Sequence, residues 1–169
     1  MGYFAIDADE FHWIDDTQDD PEDLCLHARV TAQIGDVSIE EYATVSATAL
    51  YLLKSIEEDH IIDKSIQMLP CCGHFLVASG DLSEVDILGC NIGYDWSVIH
   101  DGDKVKLILP DGRETIVPLT EYKSVVFGFA DKVEAFYNVC SPKVIPNDEF
   151  DRNGYIAFWN EWHRRREKN

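Results

Sequence analysis

Two Asp-Gly pairs, Asp101-Gly102 and Asp111-Gly112, constrain this chain more than any other feature. Asp-Gly is the preferred pair for two-residue type I′ hairpin turns, and both pairs are flanked by alternating apolar residues. A turn at 101 and 102 places His100 opposite Asp103, Val98 opposite Val105 and Trp96 opposite Leu107. A turn at 111 and 112 places Pro110 opposite Arg113 and Leu107 opposite Ile116. Trp96, Val98, Val105, Leu107 and Ile116 then share one face, and Ser97, Lys104, Lys106 and Thr115 the other. Two turns that agree on one buried face predict a three-stranded antiparallel meander over about 95–118.

The segments before it alternate between the two regular periods. An early strand or docked segment is expected over Tyr3 to Trp13, followed by an acidic loop around Pro21. Leu24 to Ile34 reads as a strand, Gly35-Asp36 as a turn, and Val37 as the start of a further strand. Ala49, Leu50, Leu53 and Ile56 recur at helical spacing over roughly Val45 to Asp59, with Thr44 or Ser46 as the cap and a start that could reach back to Ile39. Ile66 to Ser79 is a strand candidate broken by Pro70 and Gly73, and Val85 to Cys90 a short apolar strand.

After the meander, Tyr122, Val125, Val126, Phe129, Val133, Phe136 and Tyr137 form one stripe of a helix from about Glu121 to Val139, capped by Thr120. A loop with Pro142 and Pro146 leads to a last helix, about Gly154 to Glu167, packed through Tyr155, Phe158, Trp159 and Trp162. Arg164, Arg165 and Arg166 at its end suit the helix dipole and pair more readily with the domain's own acids than with phosphate. Strands, a helix, a strand block and two helices predict an α+β class: an antiparallel sheet packed by about three helices, one domain over 1–169.

Charge narrows the partners. The chain has 14 basic and 32 acidic residues, a formal net charge of -18, which disfavours nucleic acid and anionic membrane and favours a basic protein partner. Residues 7 to 23 hold nine acids and no Lys or Arg, with Phe11, Trp13 and Ile14 among them. That segment is the expected interaction site, with Phe11 and Trp13 as anchors and Asp15, Asp16, Asp19 and Asp20 steering the partner. The competing reading is a docked segment whose aromatics complete the core. The N-terminus lacks the basic start and apolar centre of a signal peptide, and no apolar run reaches the roughly 18 residues of a membrane span. A cytoplasmic, full-length chain is expected.

The remaining chemistry is sparse. Cys25, Cys71, Cys72, Cys90 and Cys140 are odd in number and irregularly spaced, so free thiols buried as small hydrophobes are expected rather than a disulfide framework. Cys71-Cys72-Gly73-His74 is the sharpest cluster. On strands, Cys25 with His27 and Cys72 with His74 would share faces and could supply four ligands to zinc, although no Cys-x-x-Cys knuckle is present. The same cluster could form a thiol nucleophile, with Cys71 or Cys72 activated by His74 or His100. The alternative for all of these is core packing. No His-Glu-x-x-His or Gly-x-Ser-x-Gly pattern occurs, and Gly89-Cys90-Asn91-Ile92-Gly93 is not a nucleotide-binding loop, so no cofactor is expected.

Small size, acidity, free thiols and an α+β layout resemble, in type, the immunity proteins of bacterial toxin systems. The resemblance covers no alignable motif. It implies a non-enzymatic inhibitor that neutralises a basic toxin, such as a nuclease, by occlusion. The stretch Gly154 to Trp162 also looks like the ending of uncharacterised bacterial proteins. The alternatives are a small enzyme using the Cys/His site or a zinc-stabilised structural protein.

Overall fold

Ala28, Val30, Ala32 and Ile34 point inward and Arg29, Thr31 and Gln33 outward, and this period of two organises the first sheet. In the computed structural model, which describes residues 2–15 and 19–167, β1 (Phe4–His12), β2 (His27–Ile34) and β3 (Val37–Ala43) pair antiparallel in that order. Gly35, at φ +61°, makes the tight turn between β2 and β3. β2 begins three residues later than the sequence pattern suggests. The Tyr137 hydroxyl donates to the Leu24 carbonyl and accepts from the Leu26 N–H, so residues 24–26 bond to a side chain instead of to a strand. The helical pattern reaching back to Ile39 is overturned too, since β3 fills that stretch.

α1 (Val45–Ser55) is the centre of the molecule: every residue except Lys54 is buried. A helix apolar all round must be enclosed on all sides. It packs against α2 (Leu119–Val139), α3 (Glu149–Glu167), β2 and β4 (Leu69–Pro70). Leu50, Leu52 and Leu53 are fully enclosed, each stabilising the fold by about 1.5–3 kcal/mol relative to exposure. α1 stops at Ser55, short of Asp59. Thr44 precedes it, but its hydroxyl turns away from the helix N–H groups to the Cys71 carbonyl.

β4 pairs with β7 (Gly93–Tyr94), and β5 (Phe75–Ala78) with β6 (Val85–Leu88). Pro70 lies opposite Gly93 and Phe75 opposite Leu88, five residues along on each side. The two ladders are therefore one hairpin in one register, interrupted over 71–74 and 89–92. Close backbone approach occupies the break: a Cβ on Gly89 would stand 2.1 Å from the Cys72 carbonyl oxygen.

The predicted meander is present as β8 (Ser97–Asp101), β9 (Lys104–Ile108) and β10 (Glu114–Pro118), with β9 central. Both turns differ in register from the sequence expectation. The first loop is Gly102-Asp103, with Gly102 at φ +62° in the leading position, as a type II′ turn requires. Val98 consequently faces Leu107 rather than Val105. A two-residue slip leaves the inward face unchanged. The second loop has three residues, Pro110 to Gly112, closed by the Leu109 N–H to the Arg113 carbonyl and by Gly112 at φ +88°. That one-residue slip turns β10 over: Val117 is buried and Ile116 is exposed. Three helices pack with antiparallel sheets, as the α+β class predicts; the strands divide into the β1–β2–β3 sheet, the β8–β9–β10 meander and the interrupted β4–β7/β5–β6 hairpin.

α2 begins at Leu119, with Pro118 in the capping position rather than Thr120. α3 begins five residues before Gly154, because the Asp148 carboxylate accepts the Asp151 N–H as an N-cap. Gly154 is then inside the helix, where a Cβ would lie 2.4 Å from the Leu76 carbonyl oxygen. Glycine there lets α3 lie close on β5. Among the described residues, no helix is long and apolar enough to cross a membrane.

Candidate functional site

The acidic segment does not present its aromatics. Trp13 is fully buried, edge-on to Tyr137 with Lys143 Nζ 3.2 Å from its ring centroid. It is a core residue, and its expected role as an exposed anchor is corrected. Phe11 is half-buried and stacked on Phe136 at 5.0 Å. Asp19 accepts from the Ser141 N–H and hydroxyl, which hold its carboxyl below the usual range. Asp20 caps the Glu22 N–H, and Asp23 takes the Ile14 and Cys25 N–H groups. Asp15 is exposed, and Asp16 lies outside the described residues. The local carboxylates thus fold the segment back onto the loop after α2.

The Cys/His candidates are split. His27 and His74 meet, Nε2 to Nε2 at 3.0 Å, with Thr44 Oγ1 3.3 Å from His27. One ring donates and the other accepts. Burial pushes His27 down to about 4, reinforced by His74, and burial also lowers His74. Cys25 does not join them. It is buried, with its thiol pushed up to about 12 by desolvation. Cys72 turns instead to Cys90, whose N–H lies 3.0 Å from its sulfur. The four expected zinc ligands do not converge, and no other group of three or more His, Cys, Asp or Glu among the described residues is arranged for a metal. The thiol–base pairing fails on geometry as well. His100 Nδ1 is 2.8 Å from Asp59 and its Nε2 3.0 Å from the Ile56 carbonyl, while His74 faces His27. The expectation of mostly buried thiols holds for Cys25 alone: Cys71 is exposed and the others are partly so.

Sequence reasoning missed a third arrangement. Ser65 Oγ is 3.3 Å from His60 Nδ1, and His60 Nε2 is 2.8 Å from Asp95 Oδ1. His60 and Asp95 are buried and Ser65 is exposed, at a pocket of about 230 Å³ that Tyr51, Lys54, Lys64 and Asp86 also line. A neutral ring that donates through Nε2 to Asp95 would accept the Ser65 proton at Nδ1, the Ser–His–Asp order of a relay with the two ring nitrogens exchanged. The same Asp95 oxygen also accepts the Met68 and Trp96 N–H groups, so it clamps the 61–68 turn to β8. No spacing in the sequence marks the three residues, because they come from the segment after α1 and from the distant link between β7 and β8.

The outer face of β1–β2–β3 is open. Its cross-strand rows are Ala5-Gln33-Ser38, Asp7-Thr31-Glu40 and Asp9-Arg29-Tyr42. Asp7, Asp9, Glu40 and Tyr42 are exposed, Tyr42 by 60%. A bulge in β1 holds Glu10 at φ +53° and aims its carboxylate at the same face, where it accepts from the Tyr42 hydroxyl at 2.9 Å. Arg29 grips Asp9 through two bonds of 2.8 and 2.7 Å, and Lys132 reaches Asp7. Hydrogen bonds from these cations hold both carboxyls below the ordinary range. Four acids against two cations leave the face negative. A sheet holds these groups more rigidly than a loop would. The alternation of β1 and β3 carries this signal in the sequence.

No family model, curated protein or solved structure matches this chain.

Proposed function

We propose that this chain is a non-enzymatic inhibitor that captures a basic protein in the cytoplasm, most concretely an immunity protein that occludes the basic cleft of a toxin such as a nuclease. The observation that supports it is the open sheet face, where Asp7, Asp9, Glu10 and Glu40 surround an exposed Tyr42 on rigid strands. Tyrosine supplies contact area at small entropic cost, and the acids steer a cationic partner. This face takes over the role first assigned to Phe11, Trp13 and the aspartates of the loop.

The test is a low-salt pull-down with the purified chain, followed by kinetics with any stoichiometric basic partner. Changing Asp7→Asn, Asp9→Asn, Glu10→Gln and Glu40→Gln together should slow association by roughly tenfold or more and flatten its salt dependence. A partner that binds the quadruple variant at the original rate would remove the assignment.

The Ser65–His60–Asp95 order supports a second reading, a serine hydrolase at the neighbouring pocket. A fluorophosphonate probe decides it. Labelling that vanishes in Ser65→Ala establishes the hydrolase, and no labelling of the folded chain excludes it.

A further inference from the structure

Three thiols gather at the break in the β4–β7 hairpin, and the partner-binding reading uses none of them. The register carried through from Pro70–Gly93 to Phe75–Leu88 places position 72 opposite 91 and position 73 opposite 90. On regular strands that register would turn the Cys72 and Cys90 side chains to opposite faces, but 71–74 and 89–92 are not strand, and the irregular backbone of the break brings the two residues into contact. The Cys90 N–H points at Cys72 Sγ at 3.0 Å, and Gly89 lets the two backbones close to contact. The Cys71 N–H is tied to the Ile92 carbonyl at 2.9 Å, so the vicinal pair is held against the Cys90 turn. Cys71 is exposed and Cys72 and Cys90 are partly exposed, within reach of a small solute. Cys25, by contrast, is sealed in the core.

We propose that Cys90 and Cys72 form a peroxide-reactive dithiol, with Cys90 the attacking sulfur and Cys72 the resolving one. The Cys90 thiolate attacks one oxygen of hydrogen peroxide. The O–O bond breaks, the sulfur is oxidised to a sulfenic acid, and the departing hydroxide takes up a proton to leave as water. Cys72 sulfur then attacks Cys90 sulfur. The S–S bond forms, the S–OH bond breaks, and the hydroxide leaves as water with the proton that Cys72 gave up. Two thiols and one peroxide yield one disulfide and two waters.

The division of roles follows from the surroundings. Hydrogen bonding from the Cys72 thiol, with further help from the backbone at Ile92 and from Cys71, holds Cys90 below its ordinary pKa. The side-chain contact with Cys90 raises the Cys72 thiol by more than the Cys90 N–H donated to its sulfur lowers it, and Cys71 is raised chiefly by desolvation. The thiolate is the nucleophile, so the acidified member reacts first. No imidazole is required, which removes the difficulty that His74 and His100 are engaged elsewhere. A Cys72–Cys90 link would pin the interrupted hairpin at its break, and dithiothreitol would release it.

The experiment treats the folded, reduced chain with hydrogen peroxide, quenches by alkylation under denaturing conditions, and maps peptides by mass spectrometry. Loss of two hydrogens per monomer, with Cys72 and Cys90 joined and Cys25 and Cys140 still alkylated, is the expected result. Cys72→Ser should accumulate a Cys90 sulfenic acid that dimedone traps. Cys90→Ser should consume peroxide about tenfold more slowly, as loss of the most acidic thiol requires. Cys71→Ser should leave the link intact. Oxidation of Cys90→Ser at the original rate overturns the proposal, as does a Cys71–Cys90 link or a bond formed only between chains. Because the readout is a covalent bond in the purified chain, it stands or falls independently of any partner.

Discussion

The two ends of this molecule use ion pairs in opposite ways. Between α1 and α3, Glu161 is completely buried, accepting the Val85 N–H at 2.8 Å and the Arg165 Nε–H at 3.0 Å, with Lys54 Nζ at 3.4 Å. Arg165, only 2% exposed, extends to Glu58 at 2.6 Å. On the outer face of β1–β2–β3, Asp9 and Arg29 make equally short bonds in open water. The geometry is similar and the consequences are not. A buried charge that loses its partner keeps its full desolvation cost, whereas an exposed one exchanges its partner for solvent. The interior network is a condition of folding. The outer pairs can exchange with solvent, which is what the proposed capture of a cationic partner requires.

The contrast predicts a ranking. Arg165→Ala should cost about 3–5 kcal/mol, because it removes the guanidinium from buried Glu161 and leaves it only Lys54 and the Val85 N–H. Urea unfolding measures it, and a loss under 1 kcal/mol would break the distinction. Gly154→Ala comes next at roughly 2–3 kcal/mol, since its methyl group meets the Leu76 carbonyl and must push α3 off β5. Crystal or NMR coordinates showing α3 unmoved at full stability would contradict that contact.

The His27–His74 pair lies between the two regimes. His27 falls from 6.5 to about 4 in the fold, so the unfolded chain takes the proton first. Acid therefore favours unfolding. Stability should decline as pH falls through 6.5 and level off below about 4, by up to ~2 kcal/mol after allowance for the ring's partial exposure. The same titration of His27→Gln should be flatter, and coincident curves would assign the acid sensitivity elsewhere. Asp148→Ala should cost about 1 kcal/mol through loss of the α3 cap, read in the same unfolding assay. Arg29→Gln should have the smallest effect of the set in the same assay, and that effect should disappear in high salt.

The sequence was most legible where one face is buried and the other wet. The alternation of β2 and β3 around Gly35 and the stripe of α2 both appear as read. It was least legible where a single residue decides a register. Pro110-Asp111-Gly112 closes a three-residue loop, and that extra residue exchanges Ile116 for Val117 in the core. Glu161 and Arg165 are four apart on a helix, a spacing that also describes an ordinary solvated pair. Only the packing of α3 on α1 distinguishes the two cases. The segment 7–23 misled for a related reason. Its acids look like a surface, but Asp19 and Asp23 spend their oxygens on backbone N–H groups and fold Trp13 inward. Of the site residues, His27 and His74 enter the sequence reading in two separate pairs, with Cys25 and with Cys72, but their own contact is not legible there, because His74 lies in the break before β5 and not on a strand; Ser65, His60 and Asp95 likewise meet only through tertiary folding.

α1, enclosed on every side, has a bearing on how the protein is made. Its lids come later in the chain, α2 from residue 119 and α3 from residue 149. A ribosome releasing the polypeptide from its N-terminus therefore exposes Leu50, Leu52 and Leu53 long before Trp162 and Glu161 exist to enclose them. Sealing of the core is deferred until α3 has emerged. Until then the nascent chain carries α1 incompletely covered.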